Sequence, residues 1–475
     1  MTISDAEFKE WLADEEVLRA VMVEAEHSAG TKYFGSYPFI STSTDTPASM
    51  PFDDLLKSIP QISTSINART TFGDLVLIND DELDDWLNLK FKGYSLKVKF
   101  GDPSWEYDDF RFLIDGINGG IYAPNNDSIG FKVFDKRELF NVPLQTSKIV
   151  ANPTTLVSHD YPVPISLGEP FNVEPQLVDS TISKYQAHEA TCTISSVRDN
   201  GVALTGGGVG YTDNGDGTFT LTSAPAGKIT NDVTEANTTT KLMVEYICNK
   251  ISFTDIDNTN LAAFPNTDTQ GLYFKDGIST TAAQAMDKVT ESVGAFWRLD
   301  RLGLLQLSRF EAPGTSIADI SYDGIHEFKV RLLRMEDPND VITLNYERNW
   351  SPQDKDGLAG SVSETNRDLY SKEYSKVTKT NSLSGFPMAH EMESINSFIV
   401  TKANAQTECD RRALIRNSRR KVYEVTTFVE PFSLNVGDTV TLTFNRYGLE
   451  SGVDMVIIKM IEKPTENMAV LHLWV

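Results

Sequence analysis

Three stretches of this 475-residue chain hold residue types that could do chemistry. Thr205 to Phe219, TGGGVGYTDNGDGTF, sets six glycines among acidic and amide side chains, the make-up of a loop that cradles a phosphate or a calcium ion. Asp80 to Asp85, DDELDD, holds five carboxylates in six residues (Asp80, Asp81, Glu82, Asp84 and Asp85), and paired carboxylates can move protons or bind a metal. Arg411, Arg412, Arg416, Arg419, Arg420 and Lys421 form the one dense basic cluster of the sequence.

The glycine-rich stretch fails both ligand readings. A dinucleotide fingerprint needs a third glycine where Tyr211 stands and a helix where TFTLTSAP reads as a strand. A Walker loop needs Gly-Lys-Ser/Thr, and no lysine follows before Lys228. In calcium-loop register, Asn214, Asp216 and Gly217 fit, but Thr212 and Ser223 occupy the two places that need charged anchors. Asn214-Gly215 and Asp216-Gly217 are instead dipeptides that suit a tight hairpin turn.

The acidic run lacks a partner His or Arg and a glycine frame, so it reads as a solvated turn ahead of Trp86 and Leu87. The basic cluster has no aromatic residue between Ala413 and Val422 to stack on a base. It reads as a helix end that complements the macrodipole and docks against an acidic neighbour, a subunit or partner surface. Cys192, Cys248 and Cys409 and the six histidines show no metal or disulfide spacing, and no Ser or Cys lies in a nucleophile motif. No catalytic residue, metal site or cofactor is expected.

The elements that would position these residues are mostly strands. Val440, Leu442 and Phe444 alternate with Thr439, Thr441 and Thr443. Similar runs occupy Asp74 to Asn79, Tyr94 to Phe100, Asp109 to Gly116, Asp340 to Tyr346, Lys421 to Val429 and the C-terminal MAVLHLWV. Four helices are expected. Ser4 and Glu7 form a capping box for the first, Thr240 to Ile251 is the second, Ser279 caps a third that ends at Gly294, and Thr401 caps a fourth over 402–416. The fold class is therefore mainly β (α+β), with several β-barrel or β-sandwich modules and a few packed helices. Loops are expected over Thr146 to Pro164, Asn231 to Thr240, Ser351 to Thr365 and Thr378 to Met392.

A net charge of −24 disfavours binding to nucleic acid over most of the surface. Apolar runs such as MVIIKMI fall far short of the roughly 20 residues of a membrane span, so no stable membrane insertion is expected. The acidic, polar start MTISDAEFKEWLADEE is neither a secretory signal nor a transit peptide, so synthesis in the cytoplasm is expected.

Taken in order, several segments resemble a known family. They are FGDLVLINDDELDDWL (Phe72 to Leu87), GYSLKVKFGD and DFRFLIDGI; then VPISLGEPFNVEPQLVD (Val163 to Asp179) with KYQAHEA; then NGDGTFTLTSAPAGKITNDV (Asn214 to Val233). GAFWRLDRLGLLQLSRFEAPG (Gly294 to Gly314), EDPNDVITLNYERNWSPQD, LNVGDTVTLTFNRYGLESG and the closing VLHLWV complete the series. The series resembles the tail-tip, or baseplate, central hub proteins of long-tailed bacteriophages and of related gene-transfer particles, over most of residues 17–475.

That resemblance implies a homotrimeric, non-enzymatic structural protein of the virion tail tip, made in the bacterial host cytoplasm. It implies an N-terminal tube-facing barrel-like module over 1–150, a β-rich second module over 151–240 carrying the hairpin 205–225, and an α+β third module over 241–334. A C-terminal barrel-like module would span 335–475 and carry the helix 402–416. In such hubs two barrel-like modules per chain form a pseudo-sixfold ring. The implied partners are other copies of the chain, a hexameric tail-tube or distal-tail ring, a central tail fibre, and a tape measure protein in the lumen. DNA would pass through without specific binding, past carboxylates that repel its phosphates. Receptor binding would rest with a separate fibre, since hubs with receptor-binding extensions run on past the place of Trp474 and Val475. A carbohydrate-binding or depolymerising tail spike is the rival reading; it would need two carboxylates across a groove and usually a repetitive solenoid.

Overall fold

The computed structural model describes residues 3–14, 16–59, 61–66, 68–157, 159–321, 325–388, 390–392, 394–428, 434–466 and 468–475. The fold is mainly β with several sheets and few helices, the class expected from the alternating runs. The helices are α1 (Asp5–Ala13), α2 (Thr240–Lys250), α3 (Asn258–Ala263), α4 (Ala282–Glu291), α5 (Glu364–Ser371) and α6 (Lys402–Ile415). No helix among the described residues is long and apolar enough to cross a membrane.

Local chemistry explains where the helices start. Ser4 and Glu7 form the capping box of α1, which buries Phe8, Trp11 and Leu12. Thr401 caps α6, and Ala405, Cys409 and Ala413 lie buried along it as their spacing predicts. The cap of α4 is Thr281 rather than Ser279. Gln284 stands three residues after Thr281 and returns its hydrogen bond, whereas Ser279 ends a separate 3-10 turn at Gly277–Ser279. The short α3 and α5 were not among the expected helices. Only Tyr370 of α5 is buried, so it has no apolar stripe to announce it.

The first sheet closes on itself. Its strands run Gly30–Gly35, Ala20–His27, Ser95–Gly101, Arg111–Asn125, Ser128–Phe134 and Leu75–Ile78. The stretch 51–58 then covers both edges. Asp53 and Asp54 lie parallel to Phe34 and Gly35, while Leu56 and Ser58 lie antiparallel to Leu77 and Val76. Inside sit Val21, Val23, Phe34, Leu77, Leu96, Val98, Ile129 and Phe131, with α1 adding Phe8 and Leu12.

A second sheet, built from the end of the chain, uses the same closing device. Thr439–Leu442, Val453–Lys463, Met468–Trp474 and Arg420–Thr427 lie side by side. Asp319 and Ile320 run parallel to Thr441 and Leu442 at one edge, and Ile325–Glu336 runs antiparallel to Arg420–Thr427 at the other. Val440, Leu442 and Phe444 are buried inside, as their alternation predicts. Val429, the last residue of the strand expected there, lies outside the described residues.

A strand pairing joins the two sheets. Ile62–Ser65, which follows the closing stretch of the first sheet, leaves it and pairs antiparallel with the second, Ser63 opposite Ile461. The largest apolar cluster among the described residues draws on residues from Phe140 to Ala413 and includes the buried faces of α2, α4 and α6. Side chains from all four expected stretches of the chain meet in it. The Thr146 to Pro164 stretch is pinned by a short pairing of Lys148–Ile149 with Tyr161–Pro162.

The glycine-rich stretch is a hairpin. Tyr211–Asp213 pairs with Thr218–Leu221, and the Asn214 N–H closes the loop on the Thr218 carbonyl at 3.0 Å. Gly215 and Gly217 take φ of +76° and +81°. A Cβ on Gly217 would stand 2.3 Å from the His188 carbonyl oxygen, so that glycine is required by space as well as by φ.

Candidate functional site

One hairpin, Ala295–Leu299 with Leu305–Arg309, is charged at both ends and reaches the central core and both closed sheets. Its alternation buries Ala295, Trp297, Leu299, Leu305 and Leu307 in the central core. The turn at its tip is fixed by Asp300, whose Oδ1 accepts the Leu302 and Leu304 N–H groups, both at 2.9 Å, and by Gly303 at φ +69°.

The tip enters the junction of the two closed sheets. The Arg301 carbonyl accepts the Asp115 N–H of the first sheet at 3.0 Å. Its guanidinium forms an ion pair with Glu462 of the second sheet, next to the crossing strand Ile62–Ser65. Glu462 is only 2% exposed, and burial pushes its carboxyl above the ordinary value although Arg301 pulls it down. Arg298 donates to Asn435 Oδ1 at 3.2 Å and to Gln306 Oε1 at 2.9 Å. Lys136 joins Asp115 (3.1 Å) to Asp255 (2.8 Å) beside the turn. Asp115, Arg298, Arg301, Asn435 and Glu462 border a cavity of about 40 Å³, room for ordered water.

The other end of the hairpin rests on α6, and here the basic cluster turns inward. The Glu408 carboxylate is fully buried and receives three guanidinium groups. Arg411 Nε donates to its Oε2 at 2.8 Å, Arg412 Nε to its Oε1 at 2.5 Å, and Arg309 reaches it from the hairpin. Burial pushes the Glu408 carboxyl up, but hydrogen bonding from Arg411 and the three positive charges outweigh it, and the group sits below its ordinary value.

The same arginines collect the carbonyls at the end of α4. Arg412 takes those of Glu291 (2.9 Å) and Ser292 (3.1 Å), and Arg309 takes that of Val293 (3.0 Å). Gly294 ends this helix at φ +66°, and a Cβ there would meet Arg411 Nη2 at 2.3 Å. The rest of the cluster lies further along. Arg416 pairs with Glu336 at 3.1 Å and Arg419 with Asp337 at 2.7 Å. Arg420 donates to the carbonyls of Ile415 and Leu414 and lies 4.8 Å over the Trp474 ring, while Lys421 exchanges backbone hydrogen bonds with Val475.

Asp80, Asp81, Glu82, Asp84 and Asp85 all lie exposed in the turn after Leu75–Ile78. Leu83 and Trp86 anchor the turn in the first sheet's core, and Asn79 holds it by donating to Asp84 Oδ1 at 2.8 Å and accepting the Leu83 N–H at 3.0 Å. Among the described residues, no ion pair joins the acidic turn to the basic cluster. Among the described residues no group of His, Cys, Asp and Glu is arranged to hold a metal ion.

Sequence reading missed the roles of Glu408, Glu462 and Arg301. Signals were present: Glu408 borders the Ala405/Cys409 stripe with arginines three and four places on, and Glu462 stands in the apolar run MVIIKMIEK.

No protein-family model and no curated protein sequence matches the chain. Among solved structures, it is similar to the 43 kDa tail protein of prophage MuSo2 from Shewanella oneidensis, at 11% identity and a TM-score of 0.44, over 96% of this chain and 98% of that one. It is similar to the tail protein from Neisseria meningitidis MC58, at 10% identity and a TM-score of 0.45, over 96% of each chain. A chain of the virion of a native gene transfer agent particle matches at 12% identity and a TM-score of 0.45, over 66% of this chain and 84% of that one.

Proposed function

We propose that this chain is the central hub at the tail tip of a long-tailed bacteriophage, a structural virion component with no catalytic role of its own. The ordered series of segments from Phe72 to Val475 supports the reading. The observation that carries it is architectural. Each end of the chain builds a sheet closed by one stretch that runs parallel to one edge and antiparallel to the other, and the pairing of Ser63 with Ile461 joins the two sheets.

In a homotrimer, two such modules per chain would make a pseudo-sixfold ring that seats on a hexameric tail-tube or distal-tail ring. The remaining modules would narrow the lumen around the tape measure protein, carry the central fibre, and keep the tube shut until DNA passes. The inward-facing ion pairs at both ends of the charged hairpin suit such a part, since they fix the modules against one another.

Electron microscopy of virions with an antibody to this chain tests the reading. Label at the far end of the tail is expected. Label along fibres or spikes would replace the hub with a carbohydrate-binding adhesin. No signal in a denaturing blot of purified virions would remove the chain from the particle.

A further inference from the structure

The sequence places a glycine directly after an asparagine at three positions: Asn118-Gly119, Asn200-Gly201 and Asn214-Gly215. Each pair holds a nucleophile beside an electrophile. The glycine nitrogen can add to the asparagine side-chain carbonyl carbon, because no Cβ on the glycine obstructs the approach. Exposure and the freedom of the linking peptide decide whether it does.

The fold locks two of the three. Asn118 is fully buried, its N–H donates to the Tyr94 carbonyl at 2.8 Å, and the Phe134 ring packs over Gly119. Asn200 is pinned through its own backbone: its N–H donates to the Lys228 carbonyl at 2.9 Å, and its carbonyl accepts the Ala359 N–H at 3.1 Å. Gly201 is buried against Leu358. Asn214 stands exposed at the hairpin tip, and apart from chain neighbours no atom lies within 4 Å of where a Cβ on Gly215 would be. Asp213 is fixed beside it. Its Oδ2 accepts the Ile194 N–H and its Oδ1 the Gly215 N–H, both at 2.9 Å. Asn214 Nδ2 donates to Thr218 Oγ1 at 2.9 Å and Thr220 Oγ1 at 3.2 Å.

We infer that Asn214 is a site of spontaneous modification by water, and that Asp213 assists it by taking the proton that Gly215 must lose. The Gly215 nitrogen bonds to the Asn214 side-chain carbonyl carbon while its proton passes to Asp213 Oδ1, the atom that already accepts it. The bond from that carbon to Nδ2 breaks, and Nδ2 takes up the proton and leaves as ammonia. Water then opens the cyclic imide at either carbonyl, which leaves aspartate or isoaspartate at position 214. The product carboxylate lies between Asp213 and Asp216 in sequence and donates to neither Thr218 nor Thr220. Isoaspartate also lengthens the backbone by one carbon where Tyr211–Asp213 must stay in register with Thr218–Leu221. The modification therefore loosens the hairpin and adds one negative charge. It stands independently of the hub reading.

The test keeps the full-length protein warm at neutral pH, native in one series and in urea in another, and digests samples in mild acid. Mass spectrometry follows the mass gained as amide becomes acid, and chromatography separates aspartate from isoaspartate. In the native protein, position 214 is expected to convert while Asn118 and Asn200 stay intact; in urea all three convert. Asp213→Asn keeps an acceptor oxygen but cannot take the proton, and should slow conversion at 214 at least about fivefold. Should that variant misfold by circular dichroism, Asp213→Glu, which keeps the charge and displaces the carboxylate, is measured against the same expectation.

Asn214 intact in the native protein over the time in which the denatured chain converts would overturn the inference. So would earlier conversion of Asn118 or Asn200 in the native protein, or an unchanged rate at 214 in the folded variant.

Discussion

Replacing Arg301 by Met should unfasten the junction of the two closed sheets. Glu462 is 2% exposed and Arg301 is its ion-pair partner, so the substitution leaves a buried carboxylate without its counter-charge. Breaking one side of a buried pair costs about 3–5 kcal/mol. The carboxyl has an alternative, which is to take up a proton. Burial already holds its pKa above the ordinary 4.5 with Arg301 present, and removing the guanidinium raises it further. For an acid whose folded pKa is raised, the folded state holds the extra proton between the two pKa values, and stability falls as pH rises through that window. The penalty of Arg301→Met is therefore smallest in mild acid and full at neutral pH.

The double variant Arg301→Met/Glu462→Leu removes both charges and should return to within about 1 kcal/mol of the native protein, or exceed it by up to about 4 kcal/mol. Urea melts give the global effect. Hydrogen exchange in Ile62–Ser65 and Val453–Lys463 gives the local one, which matters because a chain with several cores need not unfold in one step. A single variant costing under about 0.5 kcal/mol at neutral pH, or a penalty that grows on acidification, would refute the reasoning.

Four further outcomes follow from particular residues. Gly215→Ala meets no atom within 4 Å and should cost only the about 1–2 kcal/mol of a left-handed alanine, whereas Gly217→Ala also strikes the His188 and Ala190 carbonyls and should cost clearly more in a thermal melt. Gly294→Ala should destabilise by at least about 1–2 kcal/mol, and faster hydrogen exchange at the end of α4 would show the arginines displaced. Burial pushes the Cys192 and Cys248 thiols up to about 12, so the native protein should resist thiol reagents at pH 8 and react fully once denatured. His188 is 1% exposed, its Nδ1 accepts the Ser166 N–H at 3.1 Å, and burial lowers its pKa below 6.5. The unfolded chain thus binds the proton first. Stability should fall as pH drops below 6.5, and His188→Gln should flatten that part of the curve.

Local chemistry was legible in the sequence, while long-range pairing was not. The hairpin at Asn214–Gly217, the caps at Ser4 and Thr401, and the alternation ending in Phe444 each depend on neighbours within a few positions, and each formed where expected. Closure of each sheet depends on one short region meeting two separate edges, residues 51–58 in the first and Asp319–Ile320 with Ile325–Glu336 in the second, and nothing in those residues specifies both edges. The basic cluster shows the same limit. Six cations across helix and strand announce charge, and the spacing of Arg411 and Arg412 from Glu408 allows pairing within the helix, but only the fold brings Arg309 to the same buried carboxylate. At α4 the rival caps Ser279 and Thr281 stand two places apart, and Gln284 decides between them.

The crossing strand also sets an order of events when the chain is made. Ser63 emerges from the ribosome long before its partner Ile461, which follows about 400 residues later. Until then Ile62–Ser65 and its hairpin partner Ala68–Phe72 offer an unpaired edge, the kind of surface on which nascent chains aggregate or swap strands. Pairings this distant in sequence form slowly. Chains that run short of the Val453–Lys463 strand should therefore collect as aggregates, since the partner of Ile62–Ser65 is then missing.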